Sequence, residues 1–203
     1  MSLFITFEGG EGSGKSVQAR ALYRRLCRLS IPAVLTHEPG GTPPGERIAR
    51  LLKWTQDTDI SPLTELCLFN ASRAQLVEEI IKPNLESGKV VICDRYDDST
   101  TAYQSYGRGL DLEMVMTINN AATQGLKPDL TVLLDITVEE GHTRKAGKKP
   151  DRFEQEDITF HRRVREGYLK MAAEEPERWL VIDASQSRDE ISDKIWQRIS
   201  QLL

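Results

Sequence analysis

The stretch Leu3-Phe4-Ile5-Thr6-Phe7-Glu8-Gly9-Gly10-Glu11-Gly12-Ser13-Gly14-Lys15-Ser16 decides the architecture. Residues 3–7 are apolar or β-favouring and read as a short buried strand, which runs directly into a glycine-rich loop. After the loop, Val17, Ala21, Leu22, Leu26 and Leu29 recur at helical spacing. Strand, loop and helix then repeat along the chain. Residues 32–36, 89–94, 130–135 and 179–183 are further short strand patterns. Helical patterns lie between and after them, around 48–52, at 62–81, at 112–122 and from 191 to 202. Five strands alternating with helices predict an α/β fold of three layers, a five-stranded parallel sheet flanked by helices. Three strands end in Asp94, Asp135 and Asp183, and the first ends at Glu8. Ligands of open α/β sheets sit beyond the carboxyl ends of the strands, so these acids are expected on the functional edge.

The chain has 203 residues, 27 Lys+Arg against 31 Asp+Glu and a net charge of −4. With 39% hydrophobic and 29% charged residues it is too apolar for a disordered chain, and its length suits one domain, 1–203. The mildly acidic balance argues against sequence-independent binding to nucleic acid or membranes. No apolar run reaches the roughly 18 residues of a transmembrane helix, and MSLFITFEGG does not read as a secretory signal. A cytoplasmic protein is expected. Cys27, Cys67 and Cys93 are scattered, as are His37, His142 and His161, so neither a disulfide framework nor a zinc site is indicated. The segment Arg144-Lys145-Ala146-Gly147-Lys148-Lys149-Pro150-Asp151-Arg152 is basic and carries Gly and Pro between helices. On its residues alone it is either a solvated loop or a basic lid over phosphates, about 144–155.

Gly9-x-x-x-x-Gly14-Lys15-Ser16 fits the phosphate-binding pattern GxxxxGK[ST] in its required context, after a strand and before a helix. Gly9, Gly10, Gly12 and Gly14 allow the backbone to turn so that N–H groups, with that of Ser13, converge on phosphate oxygens. Lys15 is placed to bridge β- and γ-phosphates, Ser16 to offer a hydroxyl to Mg²⁺, and Val17 continues the nucleotide-binding segment. No Asn-Lys-x-Asp follows, as a guanine switch would require, and the chain is short for a motor. A small-molecule phosphotransferase of the P-loop NTPase fold is the reading.

Further segments match one family in order and spacing. They are residues 7–16, Glu38-Pro39-Gly40-Gly41-Thr42, Phe69-Asn70-Ala71-Ser72-Arg73, Asp94-Arg95-Tyr96, residues 99–104, Gly107-Arg108-Gly109, Pro128-Asp129-Leu130-Thr131 and Asp151-Arg152-Phe153-Glu154. With them the chain resembles bacterial thymidylate kinases over essentially its whole length. The resemblance implies ATP as donor, dTMP as acceptor, Mg²⁺ as cofactor and a homodimer, for which the helix at 62–81 is a candidate surface. Phe69 and Arg73, four apart on a helix, share a face, where a ring can stack on a base and a guanidinium can meet a carbonyl. A core Phe beside a surface Arg is the alternative on the residues alone. By resemblance, Thr100 and Gln104 meet the base edge, Tyr103 crowds the sugar 2′ position, and Glu11 binds the 3′-hydroxyl. Asp94 suits Mg²⁺ and Arg95 the acceptor phosphate, against a plain strand-end ion pair; Glu8 is a second candidate for a metal-bound water. Arg144 resembles the residue beside the adenine.

Two departures from the family pattern matter. The P-loop lacks an arginine, and lysines fill the basic segment where the family places one; Lys148 is the cation expected to serve. Ala49 stands where relatives carry a phosphate-binding arginine, and Arg50 is expected to substitute. Another small P-loop kinase, or a nucleotide-dependent switch, are the rival readings.

Overall fold

β1 (Leu3–Glu8) is buried along its whole length, as a strand enclosed on both faces must be. The computed structural model, which describes residues 2–54, 59–145, 147 and 150–203, sets β1 in the middle of a five-stranded sheet. With β2 (Ala33–His37), β3 (Val90–Asp94), β4 (Leu130–Asp135) and β5 (Trp179–Asp183) the order is β2-β3-β1-β4-β5, and every pairing is parallel. The strand, fold-class and layer expectations are met within a residue or so at each end.

Period-2 alternation divides the core. Leu3, Ile5 and Phe7 pack on one face with α1 (Lys15–Arg28) and α9 (Arg188–Ile199), through Leu22, Leu26, Ile191, Ile195 and Ile199. Phe4, Val91 and Cys93 face the other side, against Leu76, Val77 and Ile81. Each such fully buried side chain contributes about 1.5–3 kcal/mol of transfer free energy. Between these come α2 (Pro43–Trp54) and α3 (Pro62–Leu76), the latter running on through a π-helical turn at Val77–Ile81 into α4 (Lys82–Glu86). The predicted single helix at 62–81 is therefore longer and changes pitch.

A second π-helical stretch escapes the sequence patterns. α5 (Asp97–Thr100) continues into Thr101–Gly107, which packs against α8 (Ile158–Glu174). Gly107 permits this approach: a Cβ there would lie 2.6 Å from the Phe160 ring. α6 (Leu112–Thr123) and α7 (Val138–Lys145) complete the layers. Among the described residues no helix is long and apolar enough to cross a membrane.

Candidate active site

α1 begins without a side-chain cap. Gly14, at φ +95°, occupies the cap position, so the first-turn N–H groups remain open to an anion at the positive end of the helix dipole. The preceding loop is pinned from behind by α7. Gly12 sits at φ +72°, and a Cβ on it would lie 2.2 Å from the Gly141 carbonyl oxygen, while one on Gly141 would lie 2.3 Å from the Glu11 carbonyl oxygen. Lys15 folds back into the loop, its Nζ donating to the carbonyls of Gly9 at 2.9 Å and Gly10 at 2.7 Å and to Ser13 Oγ at 3.3 Å. Burial, then the nearby Arg95 charge, brings the Lys15 ammonium down to about 8. Ser16 Oγ donates to Asp94 Oδ2, so a hydroxyl and a carboxylate stand side by side at the end of β3.

A cleft of about 1110 Å³ opens from this loop along the ends of β2 and β3. Ser13, Gly14, Lys15, Ser16, Val17 and Arg144 line one part; Phe69, Arg95, Thr100, Tyr103 and Gln104 line another, with Glu11 and Asp94 also on its wall. The P-loop and the second set, far apart in sequence, thus share one cavity. Arg144 donates to the Ala184 carbonyl at 2.9 Å.

Arg95 joins the two parts. Its backbone, at φ +73°, is in the left-handed region and is held by a 3.0 Å bond from its N–H to the Phe7 carbonyl. The guanidinium pairs with Glu11 at 2.7 Å and lies 5.2 Å from the centre of the Tyr103 ring. Tyr103 donates to the same Glu11 oxygen at 3.1 Å, and Lys145 takes the other at 2.7 Å. Burial alone would raise the Glu11 carboxyl, but Arg95, Lys15 and Lys145 together hold it well below the usual carboxylate range. An acid inside a phosphate loop is thereby tolerated: three cations surround it.

Several expected residues are placed behind the cleft surface. Glu8 is fully buried and accepts from Tyr96 N–H at 2.7 Å, Ser99 at 2.6 Å and Tyr168 at 2.9 Å. Burial foremost, then Asp98, pushes its carboxyl up to about 7. Arg73, 1% exposed, pairs with Glu38 at 2.7 Å and donates to Thr100 Oγ1 at 2.6 Å and the Tyr96 carbonyl at 3.1 Å. It lies beneath Thr100 and is not among the cleft-lining residues, while Phe69, one turn earlier, is. Gln104 Nε2 donates to Glu65 at 2.6 Å. The same buried Glu65 carboxylate holds Arg108 at 3.2 Å and Arg152 at 2.6 Å.

The acids at the strand ends separate. Asp94 lines the cleft, whereas Asp135 is paired with Arg165 at 2.7 Å and Asp183 is exposed, accepting from the Ser185 N–H at 2.9 Å. Arg50 is exposed and does not line the cleft; Lys53, on the same helix, does. Lys148 lies outside the described residues. Phe153 stands in the sequence only as part of a matching segment; in the fold its ring lies 5.5 Å from Phe69 and 6.2 Å from Tyr103, completing an aromatic wall. Glu65, Gly141 and Tyr168 carry no local sequence signal for these roles, since each acts on a partner distant in the chain.

A family model described as thymidylate kinase matches residues 7–195. The chain belongs to the thymidylate kinase family. The thymidylate kinase of Dehalococcoides mccartyi is 57% identical over 203 residues, covering 100% of this chain and 98% of that protein. That of Deinococcus radiodurans is 48% identical over 200 residues, covering 98% and 97%. A crystal structure of thymidylate kinase from Ehrlichia chaffeensis matches with a TM-score of 0.80 at 34% identity, over 98% of each chain. Within this thymidylate kinase fold the described part of the basic segment places Lys145, not an arginine, against the P-loop acid Glu11.

Proposed function

We propose that the protein transfers the γ-phosphoryl group of ATP to the 5′-phosphate of dTMP, giving dTDP and ADP. The observation that carries this reading is the shared cleft in which a phosphate-binding loop and an aromatic, hydrogen-bonding wall meet at Arg95 and Glu11. The loop N–H groups and Lys15 bind the donor phosphates. Phe69, Tyr103 and Phe153 offer ring faces and edges to a base, with Thr100 and Gln104 beside them for its polar edge, and Arg73 supports Thr100 from beneath. Arg95 serves the acceptor phosphate, and Glu11, already holding Tyr103, serves the sugar hydroxyl.

Phosphoryl transfer passes through a loose transition state, so positioning and charge neutralisation do most of the work. The acceptor oxygen is anionic already, and no side chain needs to take a proton from it. Ser16 and Asp94 present adjacent hard oxygen donors suited to Mg²⁺, which supplies charge neutralisation at the donor phosphates when bound. Glu8, whose oxygens are engaged by Tyr96, Ser99 and Tyr168, supports the site from behind. Arg144 and Lys145, both on the cleft wall, are placed to cover the phosphates and keep water from competing.

The same reading extends to a homodimer through α3 and α6, which pack together and leave Leu63 48% and Met116 56% exposed. Light scattering tests this by mass. The cytoplasm, where ATP and dTMP are both available, is the compartment this reading implies. The deciding experiment is Mg-ATP turnover with dTMP, dUMP, dCMP, dGMP, AMP, UMP and thymidine, following ADP and product. Fast dTDP formation with dUMP slower is expected; preference for another acceptor, or hydrolysis without transfer, overturns the reading.

A further inference from the structure

The cations on the cleft wall differ in what they hold. Lys15 is occupied by the Gly9 and Gly10 carbonyls, Arg95 by Glu11, Lys145 by Glu11 and Glu154, and Arg144 by the Ala184 carbonyl. Arg20 and Arg188 are exposed. Lys53 is half-buried and lines the cleft, yet among the described residues it has neither a salt bridge nor a side-chain hydrogen bond. Its charge is close enough to Arg95 to be repelled by it, and close enough to Asp151, Glu11 and Asp94 to be partly balanced.

Two positive groups brought together in a partly desolvated wall are unfavourable by themselves. An anion between them offsets that cost. The backbone around Lys53 is also fixed: Arg152 donates from N–H to the Lys53 carbonyl at 3.2 Å and from Nε to the Leu52 carbonyl at 2.9 Å. These bonds satisfy carbonyls of the last turn of α2 that have no partner within the helix. Arg152 is anchored in turn by the buried Glu65 at 2.6 Å. A lysine on a fixed backbone, lining the same cleft as Arg95, is built to receive a compact charged group.

We propose that Lys53 is a binding residue for the 5′-phosphate of the acceptor nucleotide, acting together with Arg95. The inference rests on the phosphotransferase reading above and assigns the cation that α2 supplies to it. Arg50, on the same helix, is exposed and does not line the cleft.

The test compares an acceptor with and without its phosphate. Lys53→Met keeps the apolar stem and removes the charge; Lys53→Arg restores a charge. Calorimetric titrations of the full-length protein use dTMP and thymidine as probes, alongside turnover with Mg-ATP. Removing a charge-assisted hydrogen bond with Lys53→Met is expected to weaken dTMP binding about tenfold or more. Thymidine affinity and the KM for ATP are expected to stay within about twofold, and Lys53→Arg to recover dTMP binding to within about threefold. Unchanged dTMP affinity overturns the proposal, as does an equal loss for thymidine, which would mark a scaffold or base-side effect. A rise confined to the KM for ATP overturns it too, by assigning Lys53 to the donor. Retained thymidine binding reports that the variants are folded. Absence of dTDP formation by the unaltered protein defeats the functional reading itself; normal turnover with an indifferent Lys53→Met defeats only this inference.

Discussion

The two ends of the cleft are built by different means. The donor end is a contiguous loop whose binding groups are mainly backbone, shaped by glycines and backed by the opposed Gly12 and Gly141. The acceptor wall is assembled from α2, α3, the π-helical stretch 101–107 and the turn at 151–154, and is held by ion pairs that converge on Glu65 and Glu11. Backbone geometry gives the first its precision, and buried side-chain charge gives the second its cohesion. The difference teaches that damage to one end should alter chemistry and damage to the other should alter stability and acceptor binding together.

Lys15→Ala should break the donor end most severely, with turnover falling about a thousandfold, the scale of losing a preorganised transition-state interaction. Its ammonium is held in the fold against its own desolvation, so the thermal midpoint should not fall. A large loss of stability would erase the contrast between the two ends.

Glu65→Ala should do the reverse. It leaves Arg108 and Arg152 without the carboxylate they share, and we expect a loss of about 3 kcal/mol in urea unfolding. The KM for dTMP should rise while that for ATP changes little; equal effects on both would show the ends to be coupled.

Glu8 supports both ends, and its effect should be of similar size but set by pH. Its carboxyl sits at about 7 in the fold against an ordinary 4.5, so the native state binds the proton more tightly than the unfolded chain. That stabilisation is complete below about pH 4.5 and is lost as pH rises through about 7. The stability of the unaltered protein relative to Glu8→Gln should therefore decline by about 3 kcal/mol between pH 4.5 and pH 8. Parallel unfolding free energies over that range would remove Glu8 from the argument.

Gly12→Ala should give the smallest effect of the four. The new methyl meets the Gly141 carbonyl and the backbone is at φ +72°, so the loop must shift. A displacement of about 1 Å costs on the order of a hundredfold in kcat. An unaltered kcat would mean that the loop does not rely on α7.

The same contrast explains what can be read from the sequence. The strands are legible because each carries its signal within five or six adjacent residues, and the P-loop because its eight positions are contiguous. Resemblance to a family supplies Phe69, Thr100, Tyr103 and Gln104, all of which line the cleft. It does not foresee that Arg73 is enclosed by Glu38, Thr100 and the Tyr96 carbonyl. Periodicity cannot find Glu65, a glutamate in a helix like any other until Arg108 and Arg152 arrive from 43 and 87 residues away. Tyr168 reaches Glu8 across 160 positions. The pitch change at 101–107, the stretch that carries the cleft-lining Tyr103 and Gln104, has no counterpart in a 3.6-residue pattern.

Glu65 bears on how such a chain can change over generations. Helix α3, the segment ending at Arg108 and the turn bearing Arg152 all answer to this one carboxylate. Exchanging any one of the three for a relative's version is expected to destabilise the fold unless the others suit it. Substitution in this part of the molecule is therefore expected to proceed in concerted steps, and chimaeras cut between residues 65 and 152 should survive only when both parents share the same charge arrangement.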